Sequence, residues 1–184
     1  VTAVHTEALR VVGSFDPGAD GLAQKSKELV MELLRHVEAP FARACFRPGH
    51  ATCTALVRHP REARILFMLH HRLHRWLLPG GHVEESDKSL ADAAAREARE
   101  ETQVVIDAAC GPFLAGIDVH GIPPKRDEPF HLHHDLIWCF RAATEEIAVT
   151  GEAPSVTWAG AEDWDRLGVA ESIRRSILRA GNKE

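Results

Sequence analysis

Tyrosine is missing from this chain, methionine occurs twice, and four cysteines are the whole thiol complement of 184 residues. Cys45, Cys53, Cys110 and Cys139 are widely spread and form no C-x-x-C pair. Reduced, mostly buried thiols are expected, and with them a cytoplasmic setting. Long apolar runs are also missing. None reaches the ~20 residues of a membrane helix, so no membrane partner is expected. The first ten residues, VTAVHTEALR, carry no apolar signal core. The chain opens on Val1 instead of Met, as a processed or trimmed product would. A basic excess is absent too: 22 Lys and Arg stand against 27 Asp and Glu, for a net charge of −5. That balance argues against a nucleic-acid partner. An anionic small molecule stays open where a bound cation reverses the local field.

What is present is ordinary for a folded domain, with 45% hydrophobic and 27% charged residues. Leu22, Leu29, Val30, Leu33, Leu34 and Val37 form a helical stripe. They predict one amphipathic helix from Asp20, an N-cap residue, to Val37. Its apolar stripe could pack on its own domain or on a second subunit, so a homodimer is possible. Short strands are predicted at 51–59, 63–71 and 75–79, then a helix from Asp87 to Thr102. Further strands are expected at 104–120, interrupted at Gly111-Pro112, at 131–140 and at 155–158. Helices at 161–167 and 170–179 close the chain. Strands mixed with helices in this way suggest a sheet covered by helices.

The most informative stretch is GGHVEESDKSLADAAAREAREETQV, Gly80 to Val104. At ~100° per residue, Glu101 lies about 40° from Glu97 and Glu100 about 60° on its other side. Leu90, Ala91, Ala94, Ala95, Ala98 and Thr102 gather on one face, suited to close packing on a sheet. Glu97 borders that face and Glu101 lies just inside it, where a carboxylate needs a partner. Like charges at this spacing destabilise a helix. Pairing with Arg96 and Arg99 on a solvated face would be one solution. A hard divalent cation, which takes oxygen ligands, would be another. Gly80 and Gly81, just ahead of the helix, favour the second, because glycine lets backbone approach a metal or a phosphate closely.

This segment resembles the signature of the Nudix hydrolases, G-x5-E-x7-R-E-U-x-E-E-x-G-U, with U a bulky aliphatic residue. Gly81 matches the first glycine, Arg96-Glu97 and Glu100-Glu101 the charged core, and Val104 the closing aliphatic. Asp87 stands at the first glutamate, eight residues instead of seven separate it from Arg96, Ala98 is small, and Gln103 replaces the late glycine. RWLLPGGHVE with HLHHDLIWCF further resembles a bacterial branch of the family. The resemblance implies an α/β fold, a Nudix-type α/β/α sandwich with a mixed β-sheet and an added N-terminal helix. It divides the chain into an extension at 1–49 and a Nudix domain at 50–184. It implies hydrolysis of a diphosphate linkage in a nucleoside diphosphate derivative or related organic pyrophosphate, with Mg²⁺ or Mn²⁺. Glu97 and Glu101 would be the main ligands, with Glu100 a third ligand or the base. A carbonyl of Gly80 or Gly81 would complete the set, and Arg96 would orient the glutamates. Glu152 and Glu128 are loop candidates for the base. A non-catalytic nucleotide-binding or sensor module is the alternative. A prenyl-diphosphate isomerase using Cys53 or Cys139 is a remote one.

Twelve histidines are many. His131, His133 and Asp135 alternate along one strand face. At ~3.3 Å per residue, His131 and Asp135 stand ~13 Å apart, too far to share one ion. The run therefore reads as cleft lining or a polar strand face, with His133 a substrate contact. His82, next to Gly81, is a second substrate contact. Trp76 and Phe130 are the aromatic residues that could stack on a base.

Overall fold

The computed structural model describes residues 3–125, 128–151 and 153–182. Two helices open it, α1 (Ala3–Ser14) and α2 (Gly21–His36). Strands β1 (Gly49–Arg58), β2 (Ile65–His70), β3 (Arg75–Leu77) and β4 (Gly80–His82) precede helix α3 (Leu90–Thr102). Strands β5 (Phe113–Ile122), β6 (His131–Arg141) and β7 (Ser155–Ala159) lead to a single 3₁₀ turn and helices α4 (Trp164–Leu167) and α5 (Glu171–Gly181).

The sheet runs β3-β2-β1-β6-β5, with β4 paired to β1 and β7 to β2. Among the described residues only β1 and β6 pair in parallel, so the sheet is mixed. β1 is buried along nearly its whole length: α3 packs on one face, and on the other Leu56 joins the cluster of α4 and α5 while side chains of β4 and β6 cover the rest. Cys53, Ala55 and Val57 share a cluster with Leu136, Trp138 and Phe140 and with buried residues of α1, α2 and α3. Leu56, Ile137 and Cys139 share the other with Leu167 of α4 and Ala180 of α5. An α/β/α sandwich is thus in place, as expected.

α2 starts and stops where its sequence signals put it. Asp20 Oδ1 accepts the N–H groups of Leu22 and Ala23, both at 3.1 Å, and Val37 ends the helix. Val30, Leu33 and Leu34 are buried, each such side chain stabilising by ~1.5–3 kcal/mol. Arg175 and Arg179 of α5 both reach Asp20 at 3.0 Å, tying the two ends of the chain together.

Four elements differ from expectation. α1 was not foreseen, although Ala8 and Val12 are its buried stripe. The Gly80-Gly81 segment, for which no strand was expected, forms strand β4, in register with Thr54 and Cys53 of β1. α3 begins at Leu90, three residues later than expected, with Ser89 as the N-cap whose hydroxyl accepts the Asp92 N–H, because Asp87 is engaged by Arg96. Residues 104–112 make no strand; only Ile106 bridges, to Ala142.

Candidate functional site

α3 is fixed at both ends. Its first N–H, that of Leu90, donates to Glu7 of α1 at 3.0 Å. At its last turn, Thr150 Oγ1 donates to the Glu101 carbonyl and the Ala148 N–H to that of Thr102. Gln103 ends the helix in the left-handed region, with φ 56°, where the signature glycine would stand. The buried face is Leu90, Ala91, Ala93, Ala94, Ala98 and Thr102. These small side chains let the helix lie close against β1 and β4.

Arg96 organises the acids around this helix. Its Nε and Nη2 donate to the two oxygens of Asp87 at 3.0 and 3.1 Å, a bidentate pair. Nη2 also donates to the His82 carbonyl at 2.8 Å. Nη1 donates to Glu97 at 3.0 Å and to Glu100 at 3.1 Å. The Asp87 side chain is 4% exposed. Burial alone would raise its pKa, but hydrogen bonds from Arg96 and the Glu84 N–H outweigh it and hold it below the usual 3.8. The Arg96 guanidinium is held protonated, chiefly by its hydrogen bonds to Asp87. The residue at the divergent signature position thus anchors the arginine.

The three glutamates occupy different surroundings. Glu101 is 6% exposed, and its Oε2 accepts the Gly80 N–H at 2.9 Å. The Glu97 carboxylate lies against Gly81, so near that a Cβ there would stand 2.5 Å from Oε1. Glu100 is the exposed one, at 57% for its side chain. All three offer oxygen, the donor a hard divalent cation takes, and two of them, Glu97 and Glu101, stand beside glycine backbone. The donor set therefore fits Mg²⁺ or Mn²⁺.

A family model for the NUDIX domain matches residues 49–180. The chain belongs to this family. Solved structures of three other proteins share its fold. The NUDIX domain of NrtR from Shewanella oneidensis, solved with ADP ribose, is 18% identical, with a TM-score of 0.54 over 72% of this chain and 86% of its own. Dihydroneopterin triphosphate pyrophosphohydrolase of E. coli is 20% identical, with a TM-score of 0.53 over 70% and 92%. A MutT protein from Methanosarcina mazei Go1 is 22% identical, with a TM-score of 0.51 over 73% and 95%. No curated protein sequence matches the chain.

Within this NUDIX domain the expected site residues divide into groups. Arg96, Glu97, Glu100, Glu101 and Gly80 come together around the start of β4. Glu152 lies outside the described residues. Glu128 is paired with Arg43 at 3.2 Å. Phe130 is 60% exposed, whereas Trp76 packs against the α4–α5 side of the core. Cys53 is buried on the α3 face, and burial pushes its thiol far up, so it is unsuited to be a nucleophile. Cys139 is equally buried. Among the described residues no helix is long and apolar enough to cross a membrane.

The opposite face of the same strands carries polar residues, of which the sequence had singled out His82, His133 and Asp135 but not Thr52, Thr54, His50 or His120. Thr52 and Thr54 of β1 donate to the buried Asp135 of β6 at 2.7–3.0 Å. Burial, partly offset by these bonds, raises the Asp135 pKa. His50 of β1 stands in register with His133 of β6, and His120 of β5 is in register with His133 in turn. His82 joins them from β4, in register with Thr52. The T-x-T alternation in β1 was a signal for the threonines. Nothing in linear spacing announced that His50 meets His82 and His133.

Proposed function

We propose that this NUDIX domain hydrolyses a diphosphate linkage in a nucleoside diphosphate derivative or a related organic pyrophosphate, with Mg²⁺ or Mn²⁺ as cofactor. One observation carries the reading: Glu97 and Glu101 are drawn against Gly81 and Gly80 while Asp87 fixes Arg96 beside them. Glu97 and Glu101 would hold the cation, with Glu100 the third acid and glycine backbone close by. A bound divalent cation shields diphosphate charge and lowers the pKa of water.

The chain's own groups do the rest. Arg96 keeps Glu97 and Glu100 in place and remains cationic. Glu100, exposed and held by Arg96, would serve as a third ligand or as the base that accepts a proton from attacking water as the P–O bond to the leaving phosphate breaks. The intact acid stripe favours catalysis over a purely sensing role, although one related NUDIX domain was solved with ADP ribose bound.

The test is a panel of nucleoside diphosphate derivatives at millimolar Mg²⁺, read as mononucleotide or phosphate release, for wild type and Glu101→Gln. Turnover should fall at least 100-fold in the variant. Equal metal-dependent turnover in both would remove Glu101 from the site. Tight binding with no product across the panel would favour the sensor reading.

A further inference from the structure

Three imidazoles from three strands converge on the face of the sheet opposite α3. One nitrogen each from His50, His82 and His133 lies within 4.8 Å of the other two. His50 Nε2 and His82 Nε2 are 3.0 Å apart. Nitrogens on one tetrahedral zinc, at 2.0–2.1 Å from the metal, would stand about 3.3 Å from each other. One pair is therefore already at coordination spacing, and the His133 nitrogen lies within 4.8 Å of both.

We infer that His50, His82 and His133 form a three-imidazole site for a zinc-class divalent ion, separate from the carboxylate site. Donor chemistry separates the two. Glu97, Glu100 and Glu101 offer only oxygen, which suits magnesium and manganese, whereas an all-imidazole set suits zinc, nickel or copper. Strand β4 divides them: Gly81 faces the Glu97 carboxylate, and the next side chain, His82, turns to the other face.

The surroundings are those of a built site. His50 is completely buried, and its Nδ1 contacts the Cys45 carbonyl at 3.2 Å. That contact sets Nδ1 as the donor and leaves the Nε2 lone pair aimed at the cluster, the usual outer-sphere arrangement of a metal-binding histidine. The ring of His133 makes no hydrogen bond of its own among the described residues, though it lies against those of His50, His82, His120 and His131. Three ligands leave a fourth position for water.

The experiment uses the full chain, stripped with chelator and titrated with Zn²⁺ or Co²⁺ under a large excess of Mg²⁺. One equivalent should bind, with cobalt giving the visible bands of a four-coordinate site. His82→Ala and His133→Ala should each weaken binding at least tenfold, while Glu101→Gln retains it. Unchanged uptake in both histidine variants, or loss in Glu101→Gln instead, would overturn the inference. X-ray absorption of the zinc-loaded wild type provides a check that no variant's folding can confuse. About three imidazole nitrogens are expected, and an all-oxygen shell would refute the site. Hydrolysis is read separately, so either proposal can fail without the other.

Discussion

Replacing Asp87 by alanine isolates what holds Arg96. The native pair makes two charge-assisted hydrogen bonds, at 3.0 and 3.1 Å, and the same carboxylate accepts the Glu84 N–H at 2.8 Å. Hydrogen bonds to charged groups contribute ~1.5–3 kcal/mol each, and breaking a buried pair costs ~3–5 kcal/mol. Here the guanidinium keeps Glu97, Glu100 and the His82 carbonyl, and its side chain is 16% exposed. The net cost should therefore be lower, about 2 kcal/mol, or about 4–8 °C in melting temperature for a chain of this size. Urea denaturation at neutral pH measures it, with turnover followed in parallel. Activity should fall beyond the fraction unfolded, because Glu97 and Glu100 lose their common anchor. The pH dependence has a definite sign. The folded-state pKa of Asp87 lies below 3.8, so its contribution is present above that value and disappears as pH falls through the folded pKa. Asp87→Ala should flatten the acid limb of the stability curve. A loss under about 0.5 kcal/mol with an unchanged acid limb would refute the role given to Asp87.

Other substitutions separate fold from chemistry. Gly81→Ala drives a Cβ into the Glu97 carboxylate, a movable group, so activity should drop at least tenfold with little change in melting temperature. Gly80→Ala meets backbone instead, 2.7 Å from the Cys53 carbonyl oxygen, and should lower the melting temperature itself. Gln103→Gly relieves a left-handed residue at the end of α3 and should stabilise by about 0.5–1 kcal/mol in urea denaturation. Asp20→Ala removes a helix cap and two arginine contacts to α5, and should cost about 1–2 kcal/mol in the same assay.

The parts of this fold that could be read in advance are those governed by local periodicity. The register of Arg96, Glu97, Glu100 and Glu101 depends only on helix geometry, and the alanine face follows from the same wheel. Asp20 and Val37 bound α2 because capping is a local preference. What escaped depends on contacts distant in sequence. Gly80 and Gly81 look like a loop until β1 pairs with them. Asp87 and Ser89 are both acceptable N-caps, and only Arg96, nine residues beyond Asp87, decides between them. α1 had a stripe in Val4, Ala8 and Val12, too short to stand out without the helices α2 and α3 that it packs against. The histidines needed strand register: His50 and His133 are 83 positions apart, yet neighbours across the β1–β6 ladder.

The most direct trial of the account follows a cleaved pyrophosphate in isotopically labelled water, with and without Mg²⁺, in wild type, Glu97→Gln and Glu101→Gln. Metal-dependent release with label on the phosphoryl product is expected for wild type alone, both variants falling at least 100-fold. Labelled product at the wild-type rate from either variant would contradict the assignment of the carboxylate stripe as the hydrolytic centre.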